Sequence, residues 1–167
     1  MTDAPALGLC AVWLSLWSAL IAGTQNAPGA MLPGPALRAH LTSERFAIVT
    51  STTGLPLGVR DELRRLFGSA SLDIAEPGAE FQAAASRAKP NLPRRRLAVA
   101  GCANDHHCLV YYERGGAAPT WHVALFQWSP AATRFEWGGR APGGLATIED
   151  VRKAILLGAI KDANGIW

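Results

Sequence analysis

An α+β fold, built on a mainly antiparallel sheet of about five strands, is what this 167-residue sequence predicts. Three observations predict it. Four apolar runs rich in Val, Tyr, Phe and Trp follow one another between residues 96 and 139. The connectors between them, such as Ser129-Pro130-Ala131-Ala132, are too short for a parallel crossover, which needs about a dozen residues or more. A helix-period pattern precedes this block and a capped amphipathic segment follows it. The sheet therefore reads as a meander, residues 96–139, with a short helix before it and a longer C-terminal helix packed upon it.

Taken in order, the chain begins with an export segment, residues 1–23. No charged side chain occurs from Ala4 to Gly23. A run of about 20 apolar residues can cross a bilayer, and Ala22, Gly23 and Thr24 supply the small residues of a signal-peptide cut. The basic leader of a signal peptide is missing, Asp3 being the only early charge, so a retained anchor is the companion reading. Residues 24–42, with Pro28, Pro33 and Pro35, read as a Pro/Gly-rich linker. A single α+β domain is expected over 43–167.

Within that domain, residues 45–52 (RFAIVTST) are β-branched and apolar, as a strand requires. Val59, Leu63, Leu66 and Phe67 fall on one helical face, and Gly68 stands where a helix stop belongs. Residues 69–93 are broken by Pro77, Pro90 and Pro93; a short strand or turn is expected near 80–85. Strands are expected at 96–102, 108–114, 121–128 and 133–139. In the last element Thr147 and Asp150 form a capping box, and Ile148, Val151, Ile155 and Ala159 make an apolar stripe.

Apolar residues make up 49% and charged residues 17%, enough for a core and too little charge for a disordered chain. The net charge is +3. Arg87, Lys89, Arg94, Arg95 and Arg96 lie close together, yet no nucleic-acid motif accompanies them, and a solvated loop is the preferred reading.

The chemistry concentrates in GCANDHHCLVYYERGG, residues 101–116. If Cys102 ends one strand and Cys108 begins the next, the two face each other across a tight hairpin. Opposed residues have Cα atoms about 4.5–5.5 Å apart, and a disulfide takes about 4.4–6.8 Å. If residues 1–23 are removed or lie in the membrane, the remainder is exported, Cys10 leaves the count and an even pair remains, as an oxidising compartment favours. The preferred reading is a hairpin stapled by Cys102 and Cys108. The alternative is a zinc or copper site drawn from Cys102, His106, His107, Cys108 and His122, with Asp105 nearby. Against it, Cys-x5-Cys matches no structural zinc spacing, and adjacent strand residues point to opposite faces. A third reading is a nucleophilic Cys108 with His106 or His107 as base.

His122, Ala124, Phe126 and Trp128 share one strand face, and Trp121, Val123, Leu125 and Gln127 the other. Neither is clearly polar. Either both sides of the sheet are covered, the preferred reading, or aromatics remain exposed for a flat ligand. WGGRAPGGL, residues 137–145, has no Walker spacing and reads as a connection more readily than as an anion cradle. The functional expectation is a small exported binding or interaction domain, periplasmic or extracellular, for an unidentified small molecule or protein and without a cofactor. The alternative is a metal-binding protein or metalloenzyme. Specific nucleic-acid binding is not expected, and membrane contact only through residues 4–23 if they stay uncleaved.

Overall fold

The computed structural model describes residues 31–84, 89, 91–104 and 106–167. The expected export segment, residues 1–23 with Cys10, the first part of the expected linker, residues 24–30, and Arg87 and Asp105 lie outside the described residues. In chain order the elements are α1 (Pro35–Ser43), β1 (Ala47–Val49), α2 (Leu57–Phe67), β2 (Arg95–Cys102), β3 (His107–Arg114), β4 (Thr120–Trp128), β5 (Thr133–Ala141) and α3 (Ile148–Leu156). The strands form one sheet in sequence order, every neighbour antiparallel. Short connectors dictate that order, because a tight turn can only return the chain beside the strand it has left.

Both sheet faces are covered, which explains why β4 has no polar side. Leu55, Val59 and Leu63, at or near α2, pack on Leu97, Val110, Tyr112, Ala124 and Phe126. On the opposite face, Leu37 and Leu41 of α1 join Val151 and Ile155 of α3 over Leu109, Tyr111, Val123 and Leu125. The central strand β3 is buried from His107 to Tyr112. The aromatics serve this packing: Tyr111 stacks on Trp121 with ring centroids 5.1 Å apart, and Phe126 meets Phe135 edge to face. Among the described residues, no helix is long and apolar enough to cross a membrane.

Several boundaries differ from the sequence reading. Residues 35–42, placed in the linker, belong to α1, whose Leu37 and Leu41 (i, i+4) are buried. Pro35 starts that helix, where its missing N–H costs nothing. Strand 45–52 shrinks to Ala47–Val49. The expected longer C-terminal helix has 9 residues against 11 in α2. It ends at Leu156 because Gly158 takes φ 71°, a left-handed conformation that stops a helix, and Ala159 falls outside it. The capping box between Thr147 and Asp150 is present, as is the left-handed Gly68 after α2. Around 80–85, Ala84 makes an isolated bridge to Gly116.

The Gly138-Gly139 pair serves close approach within β5. A Cβ at Gly138 would stand 2.3 Å from the Val123 carbonyl oxygen, and one at Gly139 2.2 Å from that of Lys161. The latter contact lets Arg140 exchange backbone hydrogen bonds with Lys161.

Cys102 and Cys108 are directly paired across β2 and β3 and joined by a disulfide, their Cα atoms 4.1 Å apart. The turn is held further by Trp128, whose backbone N–H donates to His106 O and whose Nε1 donates to Ala103 O. A loop this short gives about 2 kcal/mol in the chain-entropy picture. Reduction is therefore expected to lower the unfolding free energy by about that amount, read from guanidinium melts with and without dithiothreitol; coincident melts would contradict a stabilising staple. The bond also fixes which way β3 faces, since a one-residue slip would reverse every side chain.

Candidate functional site

With Cys108 turned toward α2, the strand alternation sends its neighbour His107 to the opposite face, where α1 ends. His107 is 5% exposed. Its Nδ1 lies 2.8 and 2.9 Å from the two carboxylate oxygens of Glu44. Its Nε2 lies 3.1 Å from Oε2 of Glu136. Glu44 Oε1 is also 2.9 Å from Nδ1 of His40. One donor atom from each of His40, Glu44 and His107 falls in a group within 4.8 Å of one another.

Local structure explains how these groups meet. His40 and Glu44 are four residues apart, the spacing that stacks side chains on one helical face, and Glu44 is the extended residue capping α1. Arg152 of α3 anchors that end. Its guanidinium donates to the Leu41 and Thr42 carbonyls and pairs with Glu149, meeting acceptors that a helix C-terminus leaves unsatisfied. Glu136 reaches His107 from a bulge. The β4–β5 register pairs Leu125 with Trp137 and Phe126 with Phe135, so Glu136 is the extra residue. A bulge re-aims a side chain that regular pairing would place elsewhere.

The electrostatics are specific. A histidine whose two nitrogens both face carboxylates satisfies both as a donor only in its imidazolium form. Alternatively Glu136 accepts from Nε2–H, which leaves a lone pair at Nδ1 opposite the Glu44 carboxylate. Lone pair and carboxylate repel unless a cation stands between them, and a metal ion is such a cation. The carboxylate behind the imidazole is the partner that metal-ligating histidines use to fix the tautomer.

The sequence candidates divide accordingly. The structure brings together His107 and, at its edge, His106, which is exposed in the turn with its ring 6.3 Å from that of His40. It does not bring in the others. Cys102 and Cys108 are bonded to one another, so neither presents a thiolate to a metal or a substrate. His122 pairs with Tyr112, five residues further along β3 than His107, which is about 17 Å away at strand spacing. Sequence reading missed His40, Glu44 and Glu136. The (i, i+4) spacing of His40 and Glu44 was a signal for the first two. The basic cluster disperses: Lys89 pairs with Glu80, Arg95 with Asp73 and Arg96 with Glu113.

No protein-family model, curated protein or solved structure matches this chain.

Proposed function

We propose that this chain is a small exported binding domain whose ligand is a divalent transition-metal ion, zinc or copper, held by His40, Glu44 and His107. The observation that carries the reading is the convergence of three donor groups within 4.8 Å, with Glu136 behind the buried histidine. Zinc takes nitrogen and oxygen donors at about 2.0–2.2 Å, which sets them about 3.4 Å apart in a tetrahedron. His40 Nδ1 and His107 Nδ1, now 2.9 and 2.8 Å from Glu44 Oε1, must therefore each back away from it by about half an ångström to admit the ion, and His40, on an exposed stretch of α1, has the freedom to move. Three protein donors leave one position open to water or a further ligand. The disulfide is compatible with the oxidising compartment that export implies.

A second reading is favoured by the hydrogen bonds already made: the protonated His107 acts as a clamp fixing α1 to the sheet, without metal. One experiment separates the two. Chelator-treated protein with its disulfide intact is titrated with Zn²⁺, then with Cu²⁺, by calorimetry. The metal reading predicts one equivalent bound. It predicts an affinity at least a hundredfold lower in His107→Ala and Glu44→Ala, and 10- to 100-fold lower in Glu136→Gln. His106→Ala and His122→Ala are expected to bind as the parent does. His40→Ala, at an exposed position, keeps the fold and weakens binding. Absence of stoichiometric binding, with Glu44→Ala unfolding earlier, would leave the clamp.

A further inference from the structure

We propose that the opposite end of the sheet is a second site, binding the phosphate group of a small soluble molecule between Arg114 and Arg140 beside Thr120 and His122. β3 runs from His107 to Arg114, about 24 Å at strand spacing, so this site shares no residue with the metal cluster. A hollow of about 230 Å³ opens there, lined by those four residues, by the Gly116–Ala118 stretch and by Ile166. A neighbouring hollow of about 370 Å³ shares Arg114, Gly116 and Ala117 and adds Arg94. Among the described residues, neither hollow has a carboxylate in its wall.

The charge is uncompensated. Among the described residues Arg94, Arg114 and Arg140 make no ion pair, whereas Arg95, Arg96, Arg134 and Arg152 do. The buried Nε of Arg114 and the buried Nδ1 of His122 have no hydrogen-bond partner there. His122 feels the same field: burial first, then Arg114, Arg140 and Arg95, push its imidazole down to about 4. An anion would relieve both features. Guanidinium forks match the oxygens of a phosphate two at a time, with charge-assisted hydrogen bonds. The Thr120 hydroxyl, 2.9 Å from His122 Nε2, adds a polar group. The smaller hollow is below the roughly 300–1,000 Å³ of drug-sized ligand clefts, which suits a phosphate with a compact substituent. The half-exposed Ile166 offers that substituent an apolar flank.

The test is calorimetry and NMR titration with inorganic phosphate at low ionic strength, with EDTA present to keep the histidine cluster metal-free. Vesicles of phosphatidylglycerol are run in parallel. Saturable one-to-one binding is expected, weakened at least tenfold in Arg114→Met and Arg140→Met and unchanged in Arg38→Met, at the far end of the molecule on α1. The His122 ring signals are expected to titrate at higher pH when phosphate is bound. Arg140 is exposed, so Arg140→Met keeps a folded test even where Arg114→Met does not. Three results would each overturn the proposal: no saturable binding, equal loss in Arg38→Met, or binding to vesicles without binding to phosphate.

Discussion

Acidification from pH 7 to pH 4 is expected to cost the folded domain on the order of 3 kcal/mol through His122 alone. This imidazole is wholly buried, stacked on Tyr112 with ring centroids 5.4 Å apart. Desolvation disfavours its charged form, and Arg114, Arg140 and Arg95 add repulsion, so its pKa falls to about 4 from the usual 6.5. Between those values the unfolded chain holds a proton that the native chain refuses. Stability therefore rises with pH across the window: it is fully present above about 6.5 and drains away as pH falls toward 4. Urea melts at pH 7, 5.5 and 4.5, in phosphate-free buffer, check this. The wild type should lose stability along that series, and His122→Gln, which cannot titrate, should lose about 2.4 kcal/mol less by pH 4.5. Parallel losses in the two proteins would show that His122 is not the proton-linked group.

Removal of the Asp73 carboxylate is expected to cost about 3 kcal/mol, because it strands a buried cation. Arg95 is 5% exposed. Its Nη1 lies 2.5 Å from Asp73 Oδ2, its guanidinium lies over the Phe67 ring at 3.8 Å from the centroid, and Nη2 donates to the Trp167 carbonyl. Burial pulls the Arg95 pKa below its ordinary value, with Asp73 opposing that shift. Breaking such a pair from one side costs more than replacing both members, since the survivor keeps its desolvation penalty. Asp73→Ala should therefore be less stable than the double substitution Asp73→Ala with Arg95→Met, which removes the stranded charge. Denaturant melts of the two single variants and the double complete the cycle. A double variant as unstable as the sum of the singles would contradict a coupled pair.

The sheet was legible because two local signals agreed. Alternating β-branched and aromatic residues marked the strands, and short connectors such as Ser129–Ala132 fixed their order. The disulfide was legible for the same reason, as both cysteines belong to one hairpin. The separation of His122 from His107 was also legible in principle. In an antiparallel hairpin a residue near the start of β4 lies beside the end of β3, away from Cys108. The histidine cluster resisted reading because its members come from distant stretches joined by tertiary packing. Helix α1 hid in a Pro/Gly-rich composition, and only Leu37 and Leu41 betrayed its buried face. Glu136 depends on a one-residue register shift between β4 and β5, which periodicity cannot supply. The C-terminal helix was read too long because Ala159 continues the apolar stripe beyond the Gly158 stop.

These elements converge on the place where α1, β3 and β5 meet. Anomalous diffraction from a crystal grown with one equivalent of Zn²⁺, collected across the zinc edge, tests it most directly. The account predicts an anomalous peak about 2 Å from His107 Nδ1 and within bonding distance of Glu44 and His40, with Glu136 still on Nε2. A zinc peak elsewhere, with His107 Nδ1 still hydrogen-bonded to Glu44, would contradict it.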